Sequence, residues 1–100
     1  MEKNTPHCKL AVVKALIQAG KFRATYAALS GAKSLGLDYL GLITIVANLN
    51  SDDFYKSMTT YNNHRIWQDV YRPITAAGNI YLKLTVISDV LVVSFKEDQP

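Results

Sequence analysis

The hydrophobic residues of this 100-residue chain change their spacing near residue 50, from a helical period to a period of two. The first half opens with an apolar helical stripe formed by Leu10, Val13, Leu16 and Ile17. After Phe54, apolar and polar residues alternate, which is typical of strands. Helices followed by a meander of strands predict an α+β fold, an antiparallel sheet with the N-terminal helices packed on it. The length suits a single domain over residues 1–100.

Capping residues predict three helices in the first half. The predicted starts and ends are Thr5 and Gly20 for the first helix, Thr25 and Gly36 for the second, and Asp38 and Leu49 for the third. Pro6 suits the first helical position. The β-branched residues of the third segment would also suit a strand, but its cap and length favour a helix.

Turn residues divide the second half into four predicted strands. These strands are Phe54–Tyr61, Arg65–Arg72, Ile80–Ile87 and Val90–Lys96. A two-residue turn at Ser88-Asp89 would pair Ile87 with Val90 and thereby set the register of the last hairpin. One face would then be apolar and form the core, with the pairs Leu82–Phe95, Leu84–Val93 and Val86–Leu91. The other face would pair Tyr81 with Lys96 and Lys83 with Ser94.

The solvent face of this hairpin resembles a site, because it places a phenol opposite an ammonium. Lys56, on the first strand, and Gln68 and Arg72, on the second, would join it if those strands turn the same side outward. The candidate patch is then Lys56, Gln68, Arg72, Tyr81, Lys83 and Lys96. A solvated sheet face with scattered lysines has the same pattern.

A basic patch with a phenol and without metal ligands suits RNA cleavage, since the 2′-hydroxyl of the substrate supplies the nucleophile. The protein then provides a base, an acid and positive charge, and needs no cofactor. A lysine could act as the base if neighbouring cations lowered its pKa. Tyrosine or a second lysine could act as the acid.

Charge and cysteine content narrow the partners and the compartment. Residues 1–35 carry six basic residues and one acidic residue, whereas residues 36–100 carry five basic and seven acidic residues. The basic first third suits either a nucleic acid or an acidic protein face, although solvated helix surfaces look the same. Cys8 is the only cysteine, and the N-terminus lacks the apolar stretch of a signal peptide. We therefore expect a cytoplasmic protein without contact to a membrane.

Other reactive residues form weaker constellations. A two-histidine ribonuclease site would need His7 and His64, which lie in different kinds of element. The carboxylates of Asp52 and Asp53 precede a strand and suit a loop or cap. Asp69 directly follows Gln68 in the second predicted strand. Because successive side chains of a strand point to opposite faces, Asp69 should point away from the face that carries Gln68.

Seven runs of this sequence resemble the motility quorum-sensing regulator (MqsR) toxins over essentially the whole chain. They are Met1–Lys3, Thr5–His7, Leu35–Asp38, Asp53–Tyr61, Ile66–Pro73, Tyr81–Lys83 and Ser94–Glu97. The resemblance implies a RelE-like fold and a ribosome-independent mRNA interferase that prefers GC-containing triplets, chiefly GCU. It also implies an antitoxin (MqsA-like) with a zinc-binding and a DNA-binding domain, and a link to growth arrest, persistence and biofilm.

The residues tied to activity in that family correspond here to Lys56, Gln68, Tyr81 and Lys96, and all four are present. The sequence leaves open which of Lys56, Tyr81 and Lys96 is base and which is acid. Arg72 and Lys83 are the expected RNA-backbone ligands. The alternative function is a catalytically idle homologue that only holds its antitoxin.

Overall fold

The computed structural model describes residues 1–99, so Pro100, the last residue of the predicted domain, lies outside the described residues. Three helices are present: α1 (Leu10–Gln18), α2 (Tyr26–Ser34) and α3 (Tyr39–Ala47). The strands are β1 (Glu2–Lys3), β2 (Phe22–Ala24), β3 (Phe54–Thr59), β4 (Trp67–Tyr71), β5 (Ile74–Thr75), β6 (Gly78–Val86) and β7 (Val90–Glu97). The predicted α+β class, with helices packed on a sheet, is confirmed.

The sheet has the strand order β1-β3-β4-β6-β7-β2, and β5 pairs with β6 beside this path. Every pairing is antiparallel except that of β2 with β7. The sheet is therefore antiparallel, as predicted, apart from one parallel pairing at the β2 edge that the sequence did not indicate. The strands β1, β2 and β5 were not predicted, because two or three residues carry too little pattern to be read as strands.

The helices cover one face of the sheet and bury the main core against it. Their buried side chains are those of Val13, Ala28, Ala32, Leu42 and Val46. From the sheet, Tyr71, Ile80, Leu82, Leu84, Val90, Val92 and Phe95 join the same cluster. The opposite sheet face is left for polar side chains.

Two of the three predicted helix starts are confirmed. The Thr25 hydroxyl accepts from the amide of Ala28 at 3.1 Å, and the Asp38 carboxylate accepts from the amide of Gly41 at 2.8 Å. The predicted start at Thr5 is wrong, since α1 begins at Leu10 without a side-chain cap. The preceding segment instead donates the amides of His7 and Cys8 to the buried carboxylate of Asp69, each at 3.0 Å.

The last hairpin departs from the predicted register at two places. Its connection is three residues long, so Val86 rather than Ile87 pairs with Val90. A β-bulge at Val93 then shifts the register back by one residue, and the hydroxyl of Thr25 donates to the Val93 carbonyl at 3.1 Å. The predicted core positions Leu91 and Val93 are consequently wrong.

In their place Val90 and Val92 are completely buried. Beyond the bulge the predicted pairs Lys83–Ser94, Leu82–Phe95 and Tyr81–Lys96 are confirmed. The open end of the hairpin therefore has the predicted register because two deviations compensate each other.

Within residues 1–99, no single helix is long and apolar enough to cross a membrane. The helices α2 and α3 pass that test only as a pair, bent by 95°, and only by length and composition.

Candidate active site

The strand pairing decides which side chains share the face opposite the helices. Lys56 of β3 pairs with Val70 of β4, Val70 with Lys83 of β6, and Lys83 with Ser94 of β7. Directly paired residues point to the same side of a sheet, so these four form one row across it. The sequence left open whether β3 and β4 place Lys56 and Gln68 on the same face as Lys83. The pairing shows that they do.

A second row runs beside the first and contains the predicted tyrosine–lysine pair. Tyr81 pairs with Lys96, and the Lys96 Nζ atom lies 5.4 Å from the centroid of the Tyr81 ring. Arg72 directly follows β4, in which Tyr71 pairs with Leu82, so it continues that register opposite Tyr81. One row thus brings together a guanidinium, a phenol and an ammonium.

Gln68 lies on the same face but on the other side of the first row. It pairs with Met58 and is two residues before Val70 along β4. Two residues of a strand span about 6.8 Å. The structure therefore places the amide of Gln68 nearer to Lys56 and Lys83 than to the pair of Tyr81 and Lys96.

The floor of this face is the side chain of Val70. Val70 is completely buried although it belongs to the polar face and not to the core under the helices. Its immediate neighbours on the face include the long side chains of Lys56 and Lys83. Such side chains cover apolar surface with their methylene groups and keep the charged heads in water.

Tyr55 belongs to the site but was not selected from the sequence. A β-bulge between Phe54 and Lys56 lies at Tyr55, which the strict alternation of a strand would have turned inward. Its ring, 47% exposed, lies 4.9 Å from the Arg72 guanidinium carbon and 5.3 Å from the Lys56 Nζ atom. A β-bulge has no reliable signature in a single sequence. The one signal for Tyr55 was its position directly before Lys56, a basic residue of the candidate patch.

Two carboxylates reach the site from the ends of the described chain. Glu2 of β1 accepts from the Lys56 Nζ atom at 3.1 Å, and Asp98 accepts from the Arg72 Nε atom at 2.8 Å. The hydrogen bond from Lys56 to Glu2 is the main reason why the pKa of Lys56 is raised, opposed by partial desolvation and helped by the nearby Tyr55 and Tyr81. The condition under which a lysine could act as the base, a pKa lowered by neighbouring cations, is therefore not met at Lys56.

The pKa of Arg72 is raised in the same way, first by its hydrogen bond to Asp98. Lys56 and Arg72 are therefore held in the charged form, as ligands for phosphate must be. They suit charge stabilisation better than proton abstraction.

A shallow groove of about 590 Å³ runs along the second row. Its lining includes Tyr81, Lys83, Lys96 and Asp98. A second hollow of about 320 Å³ lies next to it and is lined by Tyr55, Arg72 and Asp98, among others. The two hollows share Asp98, so an extended ligand could follow the surface from Tyr55 to Lys96.

The alternative constellations take structural roles. The His7 ring stacks on Trp67, with centroids 5.4 Å apart, and Asp53 forms a capping box with Asn50. Asp69 points away from the polar face, as predicted, and burial followed by the charge of Asp69 raises the pKa of Cys8. Within residues 1–99 no three histidine, cysteine or carboxylate side chains cluster as metal ligands would.

The fold and this face together define a small α+β protein with a basic, phenol-bearing sheet surface of the kind that binds an anionic polymer. The family model described as "Motility quorum-sensing regulator, toxin of MqsA" matches residues 5–97. The chain is also 58% identical, over 97 residues, to the "mRNA interferase toxin MqsR" of Escherichia coli strain K12, covering 97% of this chain and 99% of that protein. The chain therefore belongs to the MqsR toxin family.

Proposed function

We propose that this protein is an mRNA interferase toxin, an endoribonuclease that inhibits translation and growth by cleaving messenger RNA. The name of the Escherichia coli relative supports this activity, and its similarity extends over nearly the whole chain. The observation that carries the proposal is the row of Arg72, Tyr81 and Lys96, of which Tyr81 and Lys96 line the open groove and Arg72 lines the hollow next to it. A catalytically idle homologue would have no need of such a surface.

The proposed reaction is attack of a 2′-hydroxyl on the adjacent phosphate, with departure of the 5′-oxygen. Lys56 and Lys96 supply positive charge to the phosphorane, because stabilisation of developing charge is usually the largest contribution to such a reaction. Tyr81 is the ligand or proton donor of the same phosphate, and Gln68 orients the substrate. The reaction needs neither a metal ion nor a cofactor.

Arg72 and Lys83 bind the RNA backbone in this proposal. Each lies beside a catalytic candidate, Arg72 opposite Tyr81 and Lys83 two residues after it. Contacts of arginine and lysine with phosphate position a nucleic acid without reading its sequence. The exposed ring of Tyr55 offers a stacking surface for a base. Selection of a GC-containing triplet, chiefly GCU, is assigned to the surface around this groove.

The protein acts as one half of a toxin–antitoxin pair, since its family is described as the toxin of MqsA. We assign it an MqsA-like antitoxin with a zinc-binding N-terminal domain and a DNA-binding C-terminal domain. We further propose that residues 1–100 form one toxin domain that works in the cytoplasm.

The decisive experiment is cleavage of a defined RNA by the purified protein in excess EDTA, followed by mapping of the ends. We expect full activity, 2′,3′-cyclic phosphate ends and 5′-hydroxyl ends. The same protein with Lys56→Gln should be strongly impaired while its melting temperature stays within a few degrees, because Lys56 belongs to the polar face. Loss of cleavage in EDTA with rescue by magnesium would overturn the mechanism, and an intact RNA under all conditions would favour the idle homologue.

A further inference from the structure

The polar face carries many groups that can give a proton or stabilise an anion, but few that can accept a proton. Lysine and arginine side chains in the charged form have no lone pair to offer, and a phenol is protonated at neutral pH. The raised pKa of Lys56 leaves still less of its neutral form, the only form that can accept a proton, at neutral pH. If the proposed function is correct, the proton of the 2′-hydroxyl must therefore go to another group, and the carboxylates beside the site are the candidates.

We infer that Glu2 is the general base of the cleavage reaction and that Lys56 holds its carboxylate in place. Glu2 pairs with Met58 in the register of β1 and β3, which puts it on the same face as Met58, Gln68 and Lys56. Its Oε2 atom accepts from the Lys56 Nζ atom at 3.1 Å. The side chain thus presents carboxylate oxygens beside an ammonium on the polar face, where a general base would be needed.

The second oxygen of Glu2 is free to accept the proton. Within residues 1–99, Oε1 has no hydrogen-bond partner, and the side chain is 58% exposed. The carboxylate lies next to Lys56, whose ammonium can contact the same phosphate. Base and charge-stabilising group are thereby neighbours, as a concerted attack by a 2′-hydroxyl on its own phosphate requires.

The other carboxylates near the face are less suited to this role. The side chain of Asp98 is only 15% exposed and is bound to Arg72. Its backbone amide donates to the carbonyl of Asn79, which fixes the position of the residue further. Glu97 pairs with Ile80 and therefore points to the opposite side of the sheet. Asp52 and Asp53 line the hollow at Tyr55 but belong to the short helical turn before β3, where the Asp53 carboxylate accepts from the Asn50 amide. Of these carboxylates, Glu2 is the one that a strand places, exposed, on the polar face beside Lys56.

The proposed step is balanced by the groups on this face. The Glu2 carboxylate takes the proton as the O–H bond of the 2′-hydroxyl breaks and its oxygen forms a bond to phosphorus. The bond from phosphorus to the 5′-oxygen then breaks, and that oxygen receives a proton from Tyr81 or Lys96. The products are a 2′,3′-cyclic phosphate and a 5′-hydroxyl, and no other reactant is consumed.

The position of Glu2 depends on the attachment of the N-terminal segment. The Thr59 amide donates to the carbonyl of Met1 at 3.0 Å, and the α-amino group of Met1 donates to the Thr59 hydroxyl at 3.0 Å, next to the paired Glu2 and Met58. The titratable groups that face the ion pair of Glu2 and Lys56 are Tyr55 of β3 and Tyr81 of β6. Neither is a base at neutral pH.

The test is the pH dependence of cleavage by the wild-type protein and by Glu2→Gln, with Asp98→Asn as the matched removal of the other site carboxylate. The rate for Glu2→Gln should fall by on the order of 10²–10⁴-fold, as expected for loss of a general base. The decline of the wild-type rate at acidic pH should disappear with it. Asp98→Asn should keep that decline, and Glu2→Asp should keep it with a reduced rate.

Three outcomes would overturn the inference. A wild-type cleavage rate in Glu2→Gln would show that another group is the base. A faster rate with tighter RNA binding would show that Glu2 merely competes with phosphate for Lys56. Loss of the acidic decline in Asp98→Asn would move the role to that residue. A wild-type protein that cleaves no RNA at any pH would refute the proposed function instead, and melting curves of the variants identify a loss caused by unfolding.

Discussion

Gly31 lies where helix α2 comes closest to strand β7, and replacing it by alanine should damage both stability and activity. A Cβ atom at this position would lie 1.7 Å from the carbonyl oxygen of Phe95 and 3.8 Å from the Cα atom of Lys96. The obstacle is backbone, which cannot rotate away as a flexible side chain can. The contact must widen from 1.7 Å to at least 3.0 Å, so the helix or the strand has to move by more than 1 Å.

The sign of the effect is opposite to that expected from helix propensity. Alanine in the middle of a helix is normally favoured over glycine by about 1 kcal/mol. Here the displacement separates the buried Ala28 and Ala32 from the sheet, and overpacking of a tight core costs about 1–3 kcal/mol or more. Because the obstacle is backbone, we expect the upper end of that cost, about 3 kcal/mol. Offset by about 1 kcal/mol of helix propensity, this is a net loss of about 2 kcal/mol in the free energy of unfolding.

The same displacement should reach the site, because Lys96 directly follows Phe95. A shift of about 1 Å in a catalytic group can cost on the order of 100-fold in rate. Chemical denaturation gives the free energy of unfolding, and RNA cleavage below the unfolding transition gives the rate. Gly41→Ala in α3 is the control, since its nearest contact is the flexible side chain of Leu37 at 3.1 Å.

Gly41→Ala should stay within about 1 kcal/mol of the wild type. Wild-type stability and wild-type cleavage in Gly31→Ala would refute the argument, because the helix would then have moved without cost.

The remaining predictions concern the site and the segment that leads to it. Tyr81→Phe and Lys96→Met should each slow cleavage roughly tenfold to thousandfold. The double variant should be little slower than either single variant, because both groups act on one phosphate. Independent multiplicative losses would argue against a shared phosphate. Cleavage should fall steeply with salt, and Arg72→Met should weaken binding of all RNAs alike and reduce the salt slope by about one; a changed triplet preference would show that Arg72 reads a base. Asp69→Ala should lower the free energy of unfolding by about 1–3 kcal/mol, since it removes a buried charged acceptor and leaves the amides of residues 7 and 8 without their partner; unchanged stability in chemical denaturation would contradict this.

The hairpin of β6 and β7 shows which structural features the local sequence pattern can predict and which it cannot. The alternation of apolar and polar residues identified both strands and the polar face on which Tyr81 lies. It did not identify the three-residue connection or the bulge at Val93, because the bulge depends on Thr25, a residue distant in sequence whose hydroxyl donates to the Val93 carbonyl. The pairing of Tyr81 with Lys96 was predicted correctly only because these two features cancel.

The sequence by itself determined the presence of three helices, the capped starts of α2 and α3, the α+β class, and the residue types of the candidate site. Caps and periodicity act between neighbours in the chain, so one sequence contains them completely. Family resemblance named Lys56, Gln68, Tyr81 and Lys96, but not their arrangement. The tertiary structure decided that β3 and β4 turn Lys56 and Gln68 to the side of Tyr81, since strand order is a choice between distant segments.

Tertiary structure alone also brought Tyr55, Glu2 and Asp98 to the site. Tyr55 is there because of a bulge, and Glu2 because two residues of β1 add to the edge of β3. The contact of Glu2 with Lys56 joins residues 54 positions apart, and that of Asp98 with Arg72 joins residues 26 positions apart. Their free energy comes from packing and hydrogen bonds that no local pattern records. One of these contacts, the hydrogen bond from Lys56 to Glu2, holds Lys56 in its charged form. Lys56 is therefore suited to stabilising charge and not to accepting a proton.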